Sequence, residues 1–172
     1  MTTAYTETRF AAEAQKMART LFENHGHVDL MGACVATLTP GTGEPLPEEM
    51  VMVLVPEATE LNQEAKDQFA SQVRILAKEC GARMVATISE SWYCRVPLDH
   101  PNPLEISPSQ STDRKEAVVI SIETTAATVS HFADIEREEG VATLGEFSVG
   151  CTTPLSSVGG RFTRLLPCHH QN

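Results

Sequence analysis

The chain has 172 residues, 41% apolar and 21% charged, which is enough for one hydrophobic core and too balanced for a disordered or fibrous protein. Thirteen basic side chains stand against twenty-three acidic ones, and the resulting charge of −10 disfavours nucleic acid and anionic headgroups as partners. The basic residues are scattered, with Arg114 and Lys115 as the one close cluster.

The five cysteines, Cys34, Cys80, Cys94, Cys151 and Cys168, are widely spaced and form no C-x-x-C pair, so they read as reduced thiols. No apolar run has the length of a membrane span, and the N-terminus lacks the apolar core of a signal peptide. A cytoplasmic protein without a membrane partner is the expectation. With no repeat or composition break, residues 1–172 read as a single domain.

In chain order, residues 3–24 carry Phe10, Ala14, Met17 and Leu21 at helical spacing, with Gly26 just beyond, and predict an amphipathic helix. Residues 30–55 predict a long-looped hairpin: Leu30–Thr39 and Met50–Val55 are apolar and β-branched, and the Pro- and Gly-rich segment from Pro40 to Pro47 joins them. The second of these strands, Val51 to Val55, has no polar alternation, which predicts a strand covered on both faces and lying inside the sheet.

Residues 62–80 predict a second helix, with Ala65, Phe69, Val73, Leu76 and Cys80 on one stripe, Asn62 as its cap and Gly81 after its end. The order strand, helix, strand around it favours a crossover between parallel strands. Residues 84–149 predict the remaining strands: Met84–Val96, then a proline-rich loop 97–116, then Ala117–Thr124, and a last hairpin around Glu138, Glu139 and Gly140. Residues 151–172 read as a tail with one short helix or none. The expected fold class is therefore α+β, an N-terminal helix with a mixed five- to six-stranded sheet and one central crossover helix.

Alternation along the third strand sets Met84, Ala86, Ile88, Glu90, Trp92, Cys94 and Val96 on one face, so Glu90 is a carboxylate among apolar positions. Such a group is either paired, with Arg114 or Arg83 as the candidate partner, or neutral and suited to acid–base catalysis. His25, His27 and Asp29 alternate, and in an extended segment they point to one side as metal ligands do. The same residues also fit a helix end, where Gly26 terminates and a histidine favours the dipole. A fourth ligand, from Glu90 or the terminal His169 and His170, is not identified. Trp92 and Tyr93 point to opposite faces, one toward the core and one toward a contact surface or ligand pocket.

The serines lack a G-x-S-x-G elbow, and the turns at Gly41-Thr42-Gly43 and Gly159-Gly160-Arg161 lack the lysine and context of a phosphate loop. The run Ile88-Ser89-Glu90-Ser91-Trp92, followed after the loop by Asp113-Arg114-Lys115-Glu116-Ala117, resembles small uncharacterised proteins of bacteria and their phages that share an S-E-[AS]-W strand. That resemblance covers the central third of the chain and implies no activity, but it makes Glu90 and Arg114 a pair to test.

Three functional readings follow. The first is a non-enzymatic accessory or protein-interaction domain, self-associating through an exposed strand or the apolar second strand, with no cofactor. The second is a metal-assisted hydrolase using His25, His27 and Asp29 with a divalent metal and Glu90 as acid or base. The third is a small-ligand-binding domain with its pocket beneath the proline-rich loop, near Trp92 and Tyr93.

Overall fold

The computed structural model describes residues 4–97, 99–102, 106–154 and 161–167. The first helix, α1 (Glu7–His25), begins where Thr6 takes extended backbone and its hydroxyl accepts the Arg9 N–H. It ends at Gly26, whose φ of +73° lets its N–H return to the Phe22 carbonyl. The cap at Thr6 explains why the helix starts later than its polar and apolar pattern predicts. Phe10, Ala14, Ala18 and Phe22 form the buried stripe.

Strands β1 (Met31–Leu38) and β2 (Pro45–Leu54) form the expected hairpin. Helix α2 (Gln63–Glu79) is capped by Asn62, which accepts the Ala65 N–H at 2.8 Å, and Gly81 follows its end with φ +56°. Then come β3 (Val85–Tyr93), β4 (Lys115–Glu123), β5 (Ala127–Glu138), β6 (Val141–Leu144) and β7 (Ser148–Pro154). The turn between β5 and β6 uses Glu139 and Gly140, both at positive φ, as a tight twisted hairpin requires.

The strands run in the order β2-β1-β3-β4-β5, with β6 and β7 sharing the far side of β5, and every pairing is antiparallel. The α+β class stands, while the mixed sheet of five or six strands is corrected to seven antiparallel strands among the described residues. The reason lies in β1. Helix α2 does link two strands of like direction, β2 and β3, but β1 sits between them and pairs with both, so no parallel ladder forms. The count rises because the one strand expected over residues 141–149 is two, and the second, β7, continues through Pro154 into residues expected to belong to the tail, where they pair with β5.

The helices cover opposite faces. Under α1 lie Met31, Ala33, Val35, Ala86, Ile88 and the β4 residues Val118, Ile120 and Ile122. Under α2 lie Leu30, Cys34, Ala36 and Val85, and Gly32 makes room there: a Cβ on it would fall 2.9 Å from Val73 Cγ2. β2 corrects a second expectation, for among the described residues it is an edge strand paired with β1 alone. Its unbroken apolar run reports a layer on each face, with Val51 against the α1 core and Met52 and Leu54 against the α2 core, and not a strand on each side. Among the described residues no helix is long and apolar enough to cross a membrane.

The described part of the tail docks on the α2 side. Leu165 and Leu166 are buried, and their backbone N–H groups donate to the two carboxylate oxygens of Glu123 at 3.1 and 2.9 Å. Arg74 on α2 donates to the carbonyls of Arg161 and Thr163, and Arg161 pairs with Asp67. Glu123 is only 3% exposed, so removing its carboxylate strands two buried donors. Glu123→Ala is expected to cost about 2–4 kcal/mol in urea unfolding, and a loss below about 1 kcal/mol would show that the tail is held by other contacts.

Candidate functional site

Glu90 sits where the inner face of β3 runs out past the C-terminal end of α1. Its Oε1 accepts the Val28 N–H at 2.8 Å, tying β3 to the segment between α1 and β1. Its Oε2 lies 3.9 Å from Arg137 Nη2, and the same guanidinium holds Glu116 with two hydrogen bonds of 2.9 Å. The hydrogen bonds from Arg137 hold the Glu116 carboxyl below its usual range against the opposing effect of burial. Arg114, the expected partner, is elsewhere: its guanidinium stacks 4.7 Å from the Trp92 ring centre and donates to the Ser109 carbonyl. Arg137 takes its place because β4 and β5 carry Glu116 and Arg137 to the same face beside Glu90. Arg83, the other candidate, grips Glu49 at 2.9 and 2.8 Å instead.

The histidine cluster is not arranged as a ligand set. His25 is the last residue of α1 and Gly26 turns the chain, so the three positions do not form the extended run that would align them. His27 Nδ1 donates to the His25 carbonyl at 3.0 Å, and its Nε2 stands 3.6 Å from Asp29 Oδ2. Among the described residues no three His, Cys, Asp or Glu side chains gather as a metal site. His25, His27 and Asp29 instead rim an open cleft of about 490 Å³ whose walls include Leu21, Val55 and Leu61. His169 and His170 lie outside the described residues.

Trp92 and Tyr93 do face opposite ways and serve different clefts. Trp92, 47% exposed, borders a shallow one with Arg114 and Arg137. Tyr93 borders a larger cleft of about 590 Å³ with Phe132, Asp134, Glu136 and Arg95. There the Tyr93 hydroxyl donates to Asp134 Oδ1 at 2.5 Å, and burial together with that carboxylate pushes the phenol up to about 12. Lys115 Nζ stands 3.4 Å from the second Asp134 oxygen.

Two further features escape a residue-by-residue reading. The outer edge of β2 has no strand beside it among the described residues, yet Met50, Val53 and Val55 are each about half exposed on or just beyond it. And His131 is buried under α1, where Gln15 Nε2 lies 3.2 Å from Nδ1 and Nε2 has no hydrogen-bond partner among the described residues. The alternation Val129, His131, Ala133, Ile135 was the available signal, since it sets His131 among inward positions.

Comparison of the chain with protein families, with curated proteins and with solved structures finds no match.

Burial lowers the His131 pKa from its ordinary 6.5, partly opposed by Glu7. The unfolded chain therefore takes up a proton at a higher pH than the folded one, so stability is full above pH 6.5 and falls as the pH drops below it. Glu116 and Glu49, held low by their arginines, add their own loss only as the pH falls below their ordinary 4.5. Urea unfolding at about pH 7.5 and about pH 5.5 is expected to show a decrease that His131→Leu reduces; an equal decrease in the variant would assign it to other groups.

Proposed function

We propose that this chain is a non-enzymatic protein-interaction domain that pairs with a second copy of itself through the outer edge of β2. The observation that carries this reading is the edge itself. From Met50 to Val55 the sequence is Met, Val, Met, Val, Leu, Val, six residues without a charge, a proline or a glycine. An edge strand presents a row of backbone donors and acceptors, and soluble proteins ordinarily blunt it with charge, proline or a bulge. Here Pro45 and Pro47 guard only the start of the strand, and the pairing from Met50 to Leu54 is regular.

A second copy suits this edge because the run supplies its own complement. In an antiparallel pairing about a two-fold axis near Met52, Val51 meets Val53 and Met50 meets Leu54, which are apolar contacts of the kind that stabilise sheets. No charge is buried: Glu49 is already held by Arg83, and Glu48 falls opposite Pro56. The large acidic excess opposes association at long range but lies outside the run itself. A cytoplasmic setting belongs to the same reading and is supported by the free thiols of Cys34, Cys80, Cys94 and Cys151.

Sedimentation equilibrium at tens of micromolar is expected to give a dimer for the native chain. Val53→Lys, which places a charge on an exposed position of the edge, is expected to give a monomer with an unchanged circular dichroism spectrum. A monomeric native chain, or a variant that remains dimeric, would remove β2 as the interface.

A further inference from the structure

The cleft beside Tyr93 is built by the way the opposite edge of the sheet is broken. Between the pairs Leu144 with Ile135 and Ser148 with Phe132, residues 145–147 stand opposite only Ala133 and Asp134, and Gly150 is an extra residue between the pairs of Val149 and Cys151. Two bulges thus fall within a few residues, a device that often re-aims side chains at functional sites. Both are held in place. The Gly145 N–H donates to the Asp134 carbonyl at 2.9 Å, and Arg19 on α1 donates to the carbonyls of Leu144 and Gly145 at 3.2 and 2.7 Å. Gly150 lies under the Phe132 ring so closely that a Cβ there would fall 2.0 Å from Phe132 Cε2.

The space so formed has a defined chemistry. Tyr93 and Phe132 present tilted rings with centres 5.7 Å apart, and Ala117, small and buried, stands in register between Ser91 of β3 and Asp134 of β5, where a larger side chain would obstruct Tyr93. Of the charges, Asp134 is engaged by Tyr93 and Lys115, and Glu146 lies 3.7 Å from Arg19. Glu136 and Arg95 are left, one anion and one cation lining the same cleft, and they form no ion pair with each other or with any other described residue. A volume of about 590 Å³ is that of an ordinary small-molecule site.

We infer that this cleft binds a zwitterionic α-amino acid with an apolar or aromatic side chain, Arg95 taking the carboxylate, Glu136 the ammonium and the Tyr93 and Phe132 rings the side chain. A guanidinium matches a carboxylate with two parallel hydrogen bonds, and ring faces suit an apolar or aromatic body. Neither charge alone selects the ligand, so a molecule with one charged end leaves the other side chain unmatched.

The test is titration of the full chain, followed by the amide resonances of Gly145 and Gly150, with L-phenylalanine, phenethylamine and 3-phenylpropionate. Phenylalanine is expected to saturate with a millimolar or tighter Kd and the two singly charged compounds to bind at least tenfold more weakly. Arg95→Gln and Glu136→Gln, both at exposed positions, are each expected to weaken phenylalanine at least tenfold while resonances remote from the cleft stay unchanged. Absence of saturation at Gly145 and Gly150 would overturn the proposal, as would phenethylamine or 3-phenylpropionate binding as well as phenylalanine, or variants that bind like the native chain.

Discussion

Six consecutive residues of β1, Met31 to Ala36, are buried, and the rest of the architecture follows from satisfying both faces of that one strand. A strand with apolar side chains on both sides needs a layer on each. Helix α1 supplies one from the N-terminal side of the chain, and α2 supplies the other by crossing from β2 to β3. Because β1 pairs with both of those strands, its backbone is satisfied on both sides as well, and it is enclosed by a strand on each edge and a helix on each face. Gly32 near its start lets α2 approach, which is why a residue of poor strand propensity is found there.

The enclosed faces also determine how polar groups are treated. Glu123, Glu90 and His131 all lie at or beneath a layer, and the two carboxylates accept backbone N–H groups from segments that would otherwise be loose: the tail at Leu165 and Leu166, and the connection at Val28. Each turns the cost of covering an anion into a fixed point for a loop, since a hydrogen bond to a charged group is stronger than a neutral one. Glu90 is thereby a positioning residue for the entry to β1. His131 Nε2 has no such partner among the described residues, and burial, which disfavours the charged imidazolium, makes this side chain an acid-sensitive point of the core.

What the sequence disclosed and what it withheld divide along the range of the interactions. Both helices were legible because their signals are local: apolar spacing, Asn62 at one cap, Gly26 and Gly81 beyond the ends. The β5–β6 turn was legible for the same reason, since Gly140 tolerates the positive φ that the hairpin needs. The partner of Glu90 was not, because Arg137 reaches it only through the register of β4 on β5, which no spacing in the chain encodes. The position of β2 failed differently. Lack of alternation does report apolar contact on both faces, partial here because no residue of β2 is fully buried, but it is silent on whether a neighbouring strand exists, so an edge strand flanked by two helical layers reads like an interior one. The broken edge reads from sequence as a single strand over Val141 to Val149 followed by a tail, although Gly145 and Gly150 mark both irregular places.

That break bears on the meaning of β2. The sheet has two edges, and they are made in opposite ways. The edge formed by β6 and β7 is short in each piece, interrupted by two bulges and fixed to α1 by Arg19, the ordinary means of making an edge unfit for further pairing. The edge formed by β2 has none of these over Met50 to Leu54, and it carries the most apolar run of the chain's edges. If β2 had no partner, the same protections would be expected on it, because an unprotected apolar strand invites aggregation. A fold that protects one edge along its length and leaves Met50 to Leu54 of the other regular, apolar and uncharged fits the proposed pairing through that half of β2.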